Sequence, residues 1–121
     1  MKNRILLIED EENITNLLKI NLSGSGFTVE CACDGEQGLK KAGSFHPDLI
    51  ILDIRMPKMN GWEVFDRIKA VPEYKDIKII ILTASDQKNN REKAASMNVD
   101  GFYSKPVELE SLIDHITNLL N

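Results

Sequence analysis

Residues 48–61 read DLIILDIRMPKMNG. Leu49, Ile50, Ile51 and Leu52 form an unbroken apolar run, the mark of a strand buried on both faces. Asp53 follows at once. Pro57, Asn60 and Gly61 then supply turn chemistry, so the strand ends near Asp53. A carboxylate at the end of a fully buried strand is desolvated and driven toward its neutral form unless a partner meets it. The apolar run carries no cation, so that partner must come from elsewhere in the chain.

Downstream, Asn60 with Glu63 forms a capping pair, and Val64, Phe65 and Ile68 give a helix its buried face. Trp62 lies off that stripe and is expected to be partly exposed; Pro72 ends the helix. Ile77 to Leu82 form another apolar strand, closing on Thr83-Ala84-Ser85. Asp86 can cap the next helix, QKNNREKAASMN. That helix has only Ala94, Ala95 and Met97 as apolar anchors, which predicts one of the less stable elements. Val99 to Ser104 read as a short strand, followed by Lys105-Pro106. The last helix is periodic at Leu109, Leu112, Ile113, Ile116, Leu119 and Leu120, leaving His115 off the face and solvated.

Upstream, Ile5 to Ile8 form a first buried strand that ends on Glu9-Asp10-Glu11-Glu12. Ile14, Leu17, Leu18 and Leu22 predict one helix face, with Gly24 and Gly26 after it. Acids in the first turn suit the helix dipole, so Glu11 and Glu12 have a sufficient structural explanation. Glu9 and Asp10, on the strand's end, do not. Phe27 to Cys33 alternate and predict an edge strand. Asp34 with Gln37 caps a short helix ending near Ser44, and His46-Pro47 is a turn.

This βα alternation, five times in 121 residues, predicts one α/β domain over residues 1–121. The expected architecture is a flavodoxin-like (βα)5 doubly wound parallel sheet of order 2-1-3-4-5, with right-handed crossovers. A (β/α)8 barrel needs roughly twice the length. With 15 basic and 19 acidic residues the net charge is −4, which argues against a nucleic-acid-binding surface. The cysteines, Cys31 and Cys33, have no second pair, and read as reduced thiols in a sheet rather than half a metal site. Neither a signal peptide nor a membrane span is expected.

In such a sheet, ligands bind beyond the carboxyl ends of the strands, at the switch point between the first and third. Glu9 and Asp10 end strand one, Asp53 strand three, Thr83 strand four and Lys105 strand five. Clustered carboxylates call for a hard cation, and Mg²⁺ is usually held by a few carboxylates with retained waters. A hydroxyl and an ammonium opposite them can meet a phosphoryl group. Asp53, central and beside the metal, fits a nucleophile that forms an aspartyl-phosphate.

With these residues in place, the whole chain resembles the receiver domain of two-component response regulators. The D-x-x-M-P-x-M-x-G signature stands as Asp53, Met56, Pro57, Met59 and Gly61. The resemblance implies Asp53 as phosphoacceptor and Mg²⁺, or Mn²⁺ in its place, held by Glu9, Asp10, Asp53 and the backbone carbonyl of Arg55. It implies that Thr83, the Ala84 N–H and Lys105 bind the phosphoryl oxygens, and that Thr83 and Phe102 form the switch. Glu9 replaces the commoner Asp, and Phe102 lacks the hydroxyl of some members' tyrosine. The implied donor is a histidine kinase or phosphotransfer protein. The implied output is a protein partner, or a second copy, on residues 86–120. Arg55 and Ser85, each two residues past a site residue, are expected to tune phosphoryl lifetime. The expected protein is a cytoplasmic signalling protein that undergoes slow self-dephosphorylation, not a conventional turnover enzyme. It is expected to be either a stand-alone regulator or a trimmed receiver.

Other classes fit less well. A haloacid-dehalogenase-type phosphatase needs a second Asp two residues after the nucleophile, where Arg55 stands. A flavodoxin needs a phosphate loop after strand one, where Glu9-Asp10-Glu11-Glu12 would repel phosphate. A degenerate receiver used only for binding would have lost part of the site, and nothing is missing.

Overall fold

The computed structural model describes residues 2–84 and 88–121. In chain order the elements are β1 (Arg4–Ile8), α1 (Glu12–Gly24), β2 (Thr28–Ala32), α2 (Gly35–Phe45), β3 (Leu49–Asp53) and α3 (Gly61–Lys69). A short 3-10 turn, Pro72–Tyr74, leads to β4 (Lys78–Thr83), α4 (Lys88–Ser96), β5 (Gly101–Ser104) and α5 (Leu109–Leu120). The strands form one sheet in the order β2-β1-β3-β4-β5, all neighbours parallel. This is the doubly wound arrangement that the alternation predicts.

The central position of β3 follows from its composition. All five of its residues are buried, because helices cover both faces. Alternate side chains serve separate cores. Leu6, Ile8, Ile50, Leu52, Ile79 and Ile81 pack with α2 and α3, while Ile5, Leu7, Leu49, Ile51, Ile80 and Leu82 pack with α1 and α5. Each such Leu or Ile contributes about 1.5–3 kcal/mol relative to exposure. A one-residue slip of β3 would exchange its two faces and carry Asp53 off the strand's end.

The caps lie where the sequence puts them. Asp34 Oδ1 accepts from Gln37 N at 2.8 Å, and Asn60 Oδ1 from Glu63 N at 3.1 Å. Asp86, expected to cap α4, lies outside the described residues.

Four side chains differ from their expected places. Leu17 is exposed, since α1 buries only the stripe through Leu18 and Leu22, and Ile20 is exposed beside it. Trp62 is buried, not partly exposed: it packs edge-on against Phe65, with ring centroids 6.1 Å apart. His115 is not a solvated residue; its Nδ1 lies 2.7 Å from the Tyr103 hydroxyl, and its ring abuts Gly101. Ala95 is exposed, so among the described side chains of α4 only Ala94 is buried.

Candidate functional site

Strand register determines which residues meet. Ile8 pairs with Leu52, Asp53 with Leu82, and Thr83 with Ser104, so the strand ends form one rim. The residues that follow those pairs, Glu9, Asp53 and Lys105, share that rim. Glu9 N donates to Ala32 O at 3.0 Å and Lys105 N to Thr83 O at 2.8 Å, which extends the sheet's bonding by one residue at each place.

Lys105 is the cation that Asp53 requires. Its ammonium lies 2.9 Å from Glu9 Oε1, 3.0 Å from Glu11 Oε1 and 3.4 Å from Asp53 Oδ2. Burial works against its charge, but the contacts with Glu9 and Glu11 and the charge of Asp53 outweigh this and hold it up at about 12. For Asp53 the balance runs the other way. Burial first, then the neighbouring Glu9 charge, push its carboxyl up to about 7, against the opposing pull of Lys105 and the Arg55 N–H. That N–H donates to Asp53 Oδ1 at 3.2 Å.

The acids are crowded. Glu9, Asp10 and Asp53 each offer an oxygen, and these oxygens lie within 4.8 Å of one another. Glu9 and Asp53 are buried, whereas Asp10 faces solvent. Glu9 Oε2 accepts from Glu11 N at 3.0 Å, but the buried Oε1 has no aligned hydrogen bond, only the ion pair with Lys105. One ammonium among four carboxylates leaves unneutralised charge and unused acceptor capacity. This donor set, hard oxygens on one wet side and two buried carboxylates on the other, fits a hard divalent cation.

The loop after β3 is fixed by a close approach. A side chain at Gly61 would place its Cβ 2.3 Å from Asp53 O and 2.7 Å from Ile54 Cα, so only glycine fits. Gly61 N donates to Ile54 O at 2.8 Å, and Lys58 turns the chain at φ 70°. Arg55, Met56, Trp62, Asn90 and Asp10 line an open cleft of about 600 Å³ beside this loop.

Thr83 is fully buried at the end of β4, with Ala84 exposed next to it. Phe102, on β5, packs into the core on the α3 side of the sheet, and the Arg91 guanidinium stands 5.9 Å from its ring centroid. Ser85 lies outside the described residues. Glu11 is the site residue that sequence reasoning passed over. Its first-turn position explained it, yet its side chain caps no helix N–H and instead reaches Lys105, 94 residues away.

A protein-family model described as the response regulator receiver domain matches residues 5–117. The chain belongs to the response regulator receiver domain family. Among curated relatives of this receiver, the alkaline phosphatase synthesis transcriptional regulatory protein PhoP of Bacillus subtilis is 39% identical over 106 residues, covering 88% of this chain and 43% of that protein. Response regulator MprA of Mycobacterium ulcerans is 34% identical over 120 residues, covering 99% of this chain and 51% of that protein. The receiver thus spans about half the length of these relatives. Among solved structures, response regulator protein TrrA of Thermotoga maritima, in complex with Mg(2+)-BeF, matches with a TM-score of 0.85 and 39% identity, covering 98% of this chain and 99% of that one. Chemotaxis protein CheY4 of Vibrio cholerae matches with a TM-score of 0.90 and 28% identity, covering 99% of this chain and 100% of that one. Among the described residues, no helix is long and apolar enough to cross a membrane.

Proposed function

We propose that this receiver takes a phosphoryl group onto Asp53 from the phosphohistidine of a histidine kinase or phosphotransfer protein. The single observation that carries the reading is the placement of Asp53 Oδ2, 3.4 Å from the Lys105 ammonium and within a cluster of three acids. An Asp53 oxygen attacks phosphorus; the N–P bond of the donor breaks and an O–P bond forms. The donor nitrogen leaves with its electron pair. Lys105, already paired with Asp53, stays beside the acquired charge. The Thr83 hydroxyl and the Ala84 N–H, at the end of the neighbouring strand, meet the other oxygens. Glu9, Asp10, Asp53 and the Arg55 carbonyl would hold Mg²⁺, or Mn²⁺, which when bound offsets charge on the transferring group.

In this reading the chain is a switch, not a turnover enzyme, and its own hydrolysis of the acyl phosphate is slow. Arg55 lines the cleft beside Asp53, where water must pass, and so influences lifetime. Ser85 is assigned the same role from its sequence position. Thr83 and Phe102 form the moving part, and a protein partner or second copy reads the surface of residues 86–120. The net charge of −4 speaks against direct nucleic-acid binding by these residues, and the setting is the cytoplasm.

The test is intact mass after incubation with acetyl phosphate. One added phosphoryl should appear with Mg²⁺ and vanish with EDTA. No mass change in Mg²⁺, with a second known receiver labelled in parallel, would end the proposal.

A further inference from the structure

The loop carrying Asp53 is tied to α4 by a contact that the phosphoryl chemistry does not use. Trp62 is the chain's single tryptophan. It follows Gly61, whose backbone is seated against Asp53 and Ile54, so the indole is indexed to the backbone of Asp53. The indole N–H donates to Asn90 Oδ1 on α4 at 3.4 Å, a long hydrogen bond across 28 residues. Lys93, further along α4, places its ammonium 5.2 Å from the Trp62 ring centroid. From the opposite side, Arg91 stands over Phe102.

These contacts bear on a helix whose apolar anchoring is slight. Its sequence, KNNREKAAS, is polar almost throughout, and Ala94 is its one buried side chain among those described. Two aromatic rings, one from α3 and one from β5, therefore grip a helix with almost no apolar anchor. Trp62 and Asn90 also line the cleft that Asp10 and Arg55 share. A phosphoryl group on Asp53 would add charge beside Asp10 and Arg55, which line that cleft.

We propose that Trp62 is a positioning residue that ties α4 to the Asp53 loop and so couples α4 to the phosphoryl site. The second half rests on the phosphoacceptor reading; the first does not. A contact that differs between two arrangements biases the equilibrium between them. Loosening the tie should free α4 and shift how readily the Asp53 site takes a phosphoryl mimic.

The test uses the full chain and two variants. Trp62→Phe keeps an aromatic ring against Phe65 and removes the N–H donor. Lys93→Gln removes the exposed ammonium and leaves the core untouched. Hydrogen exchange by mass spectrometry reads α4 without metal or phosphoryl mimic. Titration with beryllofluoride in Mg²⁺, followed by fluorine NMR, reads the cost of activation. Trp62→Phe should speed exchange over residues 88–98 several-fold and leave α1 and α5 at the parent rate. Its beryllofluoride midpoint should shift by about three- to fivefold, the factor expected for the loss of one hydrogen bond. Lys93→Gln should move both readouts the same way by a smaller factor.

Parent-like exchange over residues 88–98 in both variants would overturn the tie. Faster exchange with an unmoved midpoint would overturn the claim that the tie couples α4 to the phosphoryl site. If Trp62→Phe does not fold, Lys93→Gln decides on the same readouts. If the parent does not respond to beryllofluoride, the phosphoacceptor reading fails, and the exchange comparison alone decides the tie.

Discussion

Replacing Asp53 with Asn should make the metal-free protein more stable, and by an amount that depends on pH. The carboxyl rises from its ordinary 3.8 to about 7, because burial and the Glu9 charge favour its neutral form. Between those two values the folded chain holds a proton that the unfolded chain has lost. Stability therefore falls as pH rises through this window and is level above it. Relative to a neutral side chain, the cost is well under about 1 kcal/mol at pH 4 and rises to about 4 kcal/mol at pH 8. The larger figure is a ceiling, since the cleft admits water that screens the charge. Asparagine carries no such cost, and Lys105 keeps Glu9 at 2.9 Å and Glu11 at 3.0 Å as partners. In a chain of this size about 1 kcal/mol moves the melting temperature by roughly 3–5 °C. Thermal melts in EDTA should show Asp53→Asn above the parent by roughly 5–15 °C at pH 8 and by no more than roughly 3 °C at pH 4. Mg²⁺ at pH 8 should raise the parent and narrow the gap. A variant that melts at or below the parent at pH 8, or a gap equal at both pH values, would refute the reasoning.

Three further outcomes follow from the same geometry. Asp10→Asn removes a cluster oxygen and should lose most of the Mg²⁺-induced rise in melting temperature; a full response would show that Asp10 is not a ligand. Arg55→Ala should change the decay rate of the phosphorylated protein, as followed by loss of the phosphoryl mass, while labelling still goes to completion, and Ser85→Ala should do likewise. Decay equal to the parent in both variants would remove them from the rim that controls water. Backbone amide NMR with beryllofluoride should show shifts spreading from the strand ends into residues 86–105, with helices α1 and α2 largely quiet. If the largest remote shifts fall on residues 12–44 instead, the output face is misplaced.

What could be read in the sequence was local or periodic. The runs at residues 5–8, 49–52 and 77–82 could only be buried strands, and their order left one topology for a parallel sheet. Strand ends then placed Glu9, Asp10, Asp53, Thr83 and Lys105 on one rim without any coordinate. What escaped was set by partners far away in sequence. Glu11 had a local explanation at a helix start, and its reach to Lys105 depends on how β5 lies beside β4. Trp62 sits off the apolar stripe of α3, yet it packs on Phe65 and is met by Asn90 and Lys93 of α4, contacts that periodicity within α3 does not see. The same holds for His115, which meets Tyr103 because Gly101 leaves room for the ring. Leu17 failed the other way: it has the spacing of a core residue, but α1 is too narrowly docked to cover it.

The placement of the phosphoryl group on Asp53 is tested most directly by intact mass spectrometry of the parent and Asp53→Ala, each incubated with acetyl phosphate and Mg²⁺. The parent should gain one phosphoryl and Asp53→Ala none, with both proteins folded by circular dichroism. An equal gain in the variant would place the acceptor elsewhere and contradict the assignment.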